Sequence, residues 1–558
     1  MRHRVIRTTA ATIGAAGIAA LAGVAVSAQL TGPATPQSPY ALPTVPVVET
    51  TSVLSVGDTE GGYRMVGIPD GLGAIDNGDS TFTLVMNHEL GNNLGSIRAH
   101  GAKGAFVSKW TVDKASLDVL SGIDLMQRIY LWDAVGQQSE QVSTPFAFNR
   151  FCSGDLPAAS AFYNPATGLG TRERIYLHGE EGGATGYQMG TVVTGPSAGN
   201  AYVLGKFNLS TNGSGLAGVG AWENALASPY AQNKTIVIGN NDGGTGIMTN
   251  ALAVYVGSKQ ASGSDVDKAG LTNGTLKFVN VTGNAVEIAN TTSRATNIAS
   301  GTRFTLNGTS STTFSRPEDG AWNPLNPRQY YFVTTDQLDQ VTDGVGAQNG
   351  RTRLWRLTFD NITNPQLGGI IDLLIDGRVV NGERVNMLDN IAVNEKTGFL
   401  MLQEDVGGNA HNGKMWLYDP KGNSLAKISR HDSARFGDIG IAATAPFNQD
   451  EESSGIVDMS AILGPGMYLT SEQAHYAINA TTPRSFPSPD ELVEGGQLVA
   501  MRVPFPIAKY RIECKAGGWA SAFRQDGGTF ASEAECVEYV LTTSGVVAPL
   551  PFTPAKTN

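Results

Sequence analysis

Thr235-Ile236-Val237-Ile238-Gly239-Asn240-Asn241-Asp242-Gly243-Gly244 is a short β-prone run that stops abruptly in amide and acidic side chains. Its β-branched residues favour extended backbone, and the Asn-Asp-Gly cluster ends the strand. The same arrangement recurs five times. Phe82-Thr83-Leu84-Val85-Met86 runs into Asn87-His88-Glu89, and Ile175-Tyr176-Leu177-His178 into Gly179-Glu180-Glu181-Gly182-Gly183. Tyr330-Tyr331-Phe332-Val333 leads to Thr334-Thr335-Asp336, Phe399-Leu400-Met401-Leu402 to Gln403-Glu404-Asp405, and Met467-Tyr468-Leu469-Thr470 to Ser471-Glu472-Gln473. As equivalent strands of one closed, repeated β architecture, these runs would collect their acidic ends at one place. Carboxylates gathered that way repel one another unless cations sit among them, so a multi-metal site is expected.

Composition fits this reading. Charged residues are 16% of the chain against the roughly 25% of ordinary globular proteins, and there are 68 glycines. Such a chain reads as many short strands joined by tight turns, among them Asp76-Asn77-Gly78-Asp79, Asn323-Pro324 and Lys421-Gly422-Asn423. The acidic ends are spaced more widely than the roughly 40–50 residues of a minimal propeller blade. The expected fold is therefore all-β: a β-propeller of four-stranded blades with insertions, spanning 46–505. A multi-sheet sandwich is the architecture of similar composition.

Residues 1–28 carry Arg2, Arg4 and Arg7 before a small apolar stretch and end in Val26-Ser27-Ala28, the grammar of an export signal peptide. Export without an Arg-Arg pair points to threading unfolded and to metals acquired outside the cell, where calcium is plentiful. The formal charge of −11 becomes more negative without that leader. An acidic chain disfavours nucleic acid and suits calcium. Residues 29–45 are expected to be a flexible lead-in. Of the three cysteines, Cys514 and Cys536 are expected to pair in an exported protein, leaving Cys152 either buried and inert or reactive or ligating. Cys514-Lys515-Ala516-Gly517-Gly518-Trp519 through Cys536-Val537-Glu538-Tyr539-Val540 resembles a Cys-bounded cassette of secreted actinobacterial proteins, giving an accessory module over 510–541 before a disordered tail at 542–558.

Calcium takes six to eight oxygens from carboxylates, amides and carbonyls. Asn87, Glu89, Glu180, Glu181, Asp242, Glu404 and Asp405 supply that ligand type, and nearby glycines let carbonyls approach an ion. The sharpest single motif is Ser315-Arg316-Pro317-Glu318-Asp319-Gly320. Arg316 offers a planar fork for phosphate, Glu318 a metal-binding oxygen pair, and the alternative is a plain Arg–Glu ion pair at a strand start.

Asn87-His88-Glu89, Glu180-Glu181, Arg316-Pro317-Glu318 and Glu404-Asp405 occur in an order that resembles the PhoX family of bacterial secreted alkaline phosphatases. Asp450-Glu451-Glu452-Ser453-Ser454-Gly455-Ile456, followed by Gln473-Ala474-His475, is similar to related phosphatase-like and phytase-like propellers. The resemblance implies a six-bladed β-propeller and a phosphomonoesterase activity, with several calcium ions, and iron beside them, at one end of the propeller channel. As a hydrolase the chain is expected to use Arg316 and Glu318 as catalytic residues, and Asn87, Glu89, Glu180, Glu181, Asp242, Glu318, Glu404 and Asp405 as metal ligands. The implied partner is a small phosphorylated substrate, bound by a monomer without a membrane span. One position departs from the family: Gly179 stands where an iron-binding Cys precedes the Glu-Glu pair. That disfavours iron and keeps open a non-catalytic, calcium-stabilised propeller that binds a surface or another protein.

Overall fold

The computed structural model describes residues 29–181, 186–207, 220–243, 250–290, 293–336, 351–380, 382–478 and 489–504, with parts of 514–554. The leader at 1–28 and the glycines Gly182, Gly183 and Gly244 lie outside the described residues. Among those described, no helix is long and apolar enough to cross a membrane.

Six antiparallel four-stranded meanders follow one another along the chain. Their innermost strands are Pro69–Asp76, Phe151–Asp155, Trp222–Ala227, Gly320–Trp322, Leu388–Val393 and Glu451–Asp458, here blades one to six. Each inner strand touches the next, and the sixth touches the first, so the ring closes around a central channel. The fold is a six-bladed β-propeller. Closure uses both ends of the domain: Glu49–Ser55 pairs antiparallel with Glu494–Arg502 as the fourth strand of blade six, and Gln29–Thr31 adds in parallel outside it. An added strand, Thr302–Asn307, pairs with Thr275–Val281 of blade three and Gly369–Asp376 of blade four, fusing the two blades into one nine-stranded sheet.

The six runs read from sequence are the second strands of the six blades: Thr81–His88, Ile175–Glu180, Lys234–Asn241, Gln329–Thr334, Leu400–Glu404 and Met467–Ala477. Their nearly uniform apolarity has a physical cause. Alternate side chains of a strand point to opposite faces, and every blade is covered on both. Ile236 and Ile238 therefore pack toward blade four with Phe332 and Trp355, while Val237 packs toward blade two with Ile175 and Leu177. The six large apolar clusters each fill one interface between neighbouring blades.

Residues 29–45 are not the flexible lead-in that their composition suggests. Ala41–Pro43 pairs with Ser429–His431 on the outer edge of blade five, and Tyr40 is buried against Phe436 and Phe447. Pro43 sits at a strand edge, where its missing N–H costs nothing. At the other terminus, Cys514 and Cys536 form the expected disulfide, with Phe530 and Trp519 packed about it and the helix Glu533–Thr542 following. Thr553–Pro554 of the tail pairs with Ser424 and Leu425.

Candidate metal centre

Each inner strand opens on a carboxylate or thiol side chain. Asp70, Cys152, Glu223, Asp389 and Glu452 are the second residues of their strands, and Glu318 lies just before the strand of blade four. In five blades the pairing register shifts at or just beyond this residue, between Pro69 and Leu72, Phe151 and Gly154, Trp222 and Asn224, Leu388 and Ile391, and Ser453 and Ile456. A bulge re-aims the side chain it carries, and the same device is repeated around the channel. Five carboxylates and one thiol thus form an inner ring.

Four of the second-strand ends supply an outer ring. Asp70, Glu89 and Cys152 can bring ligand atoms within 4.8 Å of one another, as can Cys152, Glu181 and Glu223. The series continues with Glu223, Glu318 and Asp389, then Asp389, Asp405 and Glu452. Successive groups share a member, so they form one continuous arc. Asp242 joins it through Arg316, whose Nε lies 3.1 Å from Asp242 Oδ2 and whose Nη2 lies 2.5 Å from Glu318 Oε1. Arg150 makes the matching bridge between Glu89, at 2.7 Å, and Glu181. At the far side of the arc His475 contacts Glu494 at 2.7 Å and Glu452 at 3.7 Å.

The electrostatics are those of anions short of counter-charge. Burial first, and neighbouring carboxylates second, push Asp70, Glu223 and Asp389 well above the ordinary carboxylate range. Burial raises Glu318 too, although Arg316 opposes it. Glu181 and Asp405 are pushed up to about 7, mainly by burial. Glu89 alone goes down: burial works against it, but Arg150 and hydrogen bonds from Arg150 and Gln473 prevail. Cys152 is raised well above its usual value by burial, Glu223 and Glu89, so without a cation it stays a thiol.

Four buried acceptor oxygens in this region have no hydrogen-bond donor among the described residues: Asp70 Oδ1, Asn87 Oδ1, Asp242 Oδ1 and Gln473 Oε1. Gln473 spans Asp70 and Glu89 with its Nε2 at 3.0 and 3.1 Å, and Asn87 Nδ2 donates to the Cys152 carbonyl at 2.5 Å. Buried acceptors left without donors fit hard cations, which coordinate oxygen and bring positive charge. The donor set therefore fits several divalent ions.

Not every residue singled out from sequence faces this chamber. Glu180 spends both oxygens on backbone N–H groups, those of Asn149 at 2.7 Å and Tyr187 at 3.0 Å. Glu404 accepts from the Asn386 and Lys414 N–H groups and from Trp416 Nε1. Both are capped loop anchors, while Glu181 and Asp405, one residue later, turn inward. Asp336 and Glu472, the other two strand-end acids, are buried and hydrogen-bonded between elements rather than turned toward the chamber. A Cβ at Gly179 would stand 2.4 Å from Trp222 Cβ, so no cysteine fits there, and the thiol in the chamber is Cys152, with Sγ 3.3 Å from Glu181 Oε2.

Sequence reading missed Asp70, Glu223 and Asp389 because each stands alone in weakly patterned sequence. The usable signal was an acid followed at once by Gly or Asn before a small-residue strand: Asp70-Gly71, Glu223-Asn224, Asp389-Asn390.

Among known proteins, no family description fits the sequence and no characterised protein is significantly similar to it. Solved structures with a related chain path include Pseudomonas fluorescens PhoX in complex with vanadate, a transition state analogue, at 12% identity over 86% of this chain and 96% of that one, with a TM-score of 0.47. A putative 6-phosphogluconolactonase from Bacteroides fragilis matches at 10% identity over 65% and 84%, TM-score 0.28. A glycosyl hydrolase from Bacteroides ovatus matches at 8% over 66% and 87%, TM-score 0.29. Likeness at this level carries no argument about chemistry, which rests on the channel itself.

Proposed function

We propose that the chain is a metal-dependent phosphomonoester hydrolase whose reaction takes place in the acidic mouth of the propeller channel. The observation that carries this reading is the double ring of carboxylates with Arg150, Arg316 and His475 spaced around it. An anion-repelling chamber that also carries three cationic side chains suits an anionic substrate only when metal ions fill it.

Asp70, Glu89, Glu181, Glu223, Asp242, Glu318, Asp389, Asp405 and Glu452 would hold the ions, and Cys152 offers a thiolate to a softer one. When bound, calcium or a similar ion offsets charge on phosphoryl oxygens and makes water a better nucleophile at neutral pH. The chain's own groups do the rest. Arg316 is 37% exposed and Arg150 is 48% exposed, so each guanidinium keeps N–H groups free for phosphoryl oxygens while its other side grips carboxylates. Glu318 holds Arg316 in place from within the ring. His475 keeps a proton at neutral pH: burial opposes this, but Glu452 and Glu494 outweigh it. It would serve as the proton donor to a leaving oxygen. Export through residues 1–28 belongs to the same proposal, since it would load calcium outside the cell.

The test is hydrolysis of p-nitrophenyl phosphate by purified chain supplied with calcium, with the metals counted by mass spectrometry. Turnover abolished by EGTA supports the reading. Absence of turnover on any phosphoester in the calcium-loaded chain would leave a cation-stabilised binding propeller, which the engagement of both arginines with carboxylates also suits.

A further inference from the structure

Arg316 is built in an unfavourable backbone conformation. Its φ is +58°, and the proline that follows steers it away from the right-handed helical region without requiring a left-handed one. Asp336 at +63° and Arg294 at +51° share that region, and the three residues meet in one cluster. Left-handed non-glycine residues persist where surroundings over-determine them.

Those surroundings lie outside the metal chamber. Ser315, next to Arg316, is held at every polar atom: its N–H donates to Glu287 Oε2 at 2.7 Å, its hydroxyl to Asp336 Oδ1 at 2.8 Å, and its carbonyl accepts from Asp336 N–H at 2.9 Å. The Arg316 carbonyl accepts from Thr335 N–H at 2.9 Å. The two carboxylates are themselves fixed. Arg294 Nε lies 2.8 Å from both oxygens of Asp336, its Nη2 reaches the same carboxylate, and the Arg351 N–H adds a bond at 2.9 Å. Glu287 is gripped by Arg353 Nη1 at 2.8 Å and Thr334 Oγ1 at 3.0 Å. Arg353 in turn donates to the Arg294 carbonyl, which closes the loop.

We propose that Asp336 and Glu287, backed by Arg294 and Arg353, are positioning residues that hold Arg316 so that its guanidinium spans Asp242 and Glu318 at the channel mouth. The acidic strand end of blade four thereby does different work from its equivalents in blades one, two, three and five. It orients a cationic group instead of facing the ions. The effect on phosphate capture rests on the function proposed above, whereas the clamp on Arg316 does not.

The experiment removes Arg294, which touches neither chamber nor substrate, as Arg294→Gln, with Ser315→Ala as a milder second variant and Arg294→Lys as the conservative one. Phenylglyoxal modification of Arg316, followed by peptide mass spectrometry, reports the clamp directly. It is expected to speed up at least fivefold in Arg294→Gln and Ser315→Ala and to return toward wild type in Arg294→Lys. Inhibition by inorganic phosphate in the calcium-loaded chain reports the consequence, with an inhibition constant expected to rise about tenfold while bound calcium is unchanged. In an Arg316→Ala background, Arg294→Gln should add nothing further, because both act through one group. Unchanged labelling in both variants, or fully additive effects on phosphate, overturns the clamp. Faster labelling with phosphate inhibition unchanged upholds the clamp and overturns the phosphate role of Arg316.

Discussion

Ser153 donates its hydroxyl to Asn390 Oδ1 at 2.7 Å, joining blade two to blade five across the channel. Both residues are buried, and they form a waist with Asn224, whose Nδ2 donates to Asp319 Oδ1 at 2.7 Å. Above the waist is the acidic chamber. Below it the channel widens into a cavity of about 470 Å³ walled by Leu72, Leu156, Leu226, Trp322 and Val457. Close approach here depends on glycine: a Cβ at Gly71 would lie 2.2 Å from the Gly154 nitrogen, and one at Gly455 would lie 2.5 Å from the Asp70 carbonyl oxygen.

Ser153→Ala leaves the buried Asn390 amide oxygen without that donor. The expected loss is about 1–3 kcal/mol of stability, read as a lower urea midpoint, with no change in bound calcium. A variant as stable as wild type would show that water replaces the hydroxyl and that the waist is open.

Removing metal should make the chain sensitive to base. Asp70, Glu223, Glu318 and Asp389 have folded pKa values raised above their unfolded ones, and Glu181 and Asp405 are pushed to about 7. A group raised on folding contributes stability fully present below its unfolded value near pH 4 and lost as pH rises through the folded one. The raised His431 and His475 act in the same direction, while Glu89 in the ring and the buried His88, His100 and His178, all lowered, act against them and are outnumbered by the raised carboxylates. The EGTA-treated chain is therefore expected to melt several degrees higher at pH 5.5 than at pH 8, by scanning fluorimetry, with calcium closing the gap. A metal-free chain equally stable at both pH values would mean that the carboxylates find counter-charge elsewhere.

The fold was legible because each blade repeats one strong signal. A strand covered on both faces must be apolar at every position, and runs such as Phe399-Leu400-Met401-Leu402 announce that together with the acidic turn that follows. The outer half of the site came with those runs. The inner half did not, because Asp70, Glu223 and Asp389 point into the channel through bulges, and a bulge depends on pairing between strands rather than on local sequence. For the same reason Glu180 and Glu181 could not be told apart: register decides which of two adjacent acids turns inward.

Cys152 is the free cysteine among the described residues, buried and kept protonated. Its reaction with a disulfide reagent such as Ellman's at pH 7 should be slow in the folded chain and rapid in urea, releasing one equivalent. Cys152→Ser is expected to leave calcium binding intact and to reduce retention of iron or zinc. Loss of calcium from that variant would instead make the thiol part of the hard-ion site.

Glu472 is a strand-end acid engaged by neighbouring side chains instead of facing the chamber. Its Oε2 accepts from His431 Nε2 at 2.9 Å and Ser453 Oγ at 2.6 Å, and its Oε1 accepts from Thr470 Oγ1 at 2.6 Å, so blades five and six are tied by a buried, fully engaged carboxylate. Truncating one partner of such a pair costs about 3–5 kcal/mol, and here His431 would lose its nearest carboxylate and keep only the more distant Glu451 at 3.9 Å. Glu472→Ala should therefore lower the melting temperature by the same amount with and without calcium. Asp389→Asn should behave in the opposite way: relief of repulsion stabilises the metal-free chain, while lost coordination weakens the calcium-loaded one. If Glu472→Ala removed the calcium-dependent part of the melting temperature, blade six's strand end would belong to the ion-binding ring after all.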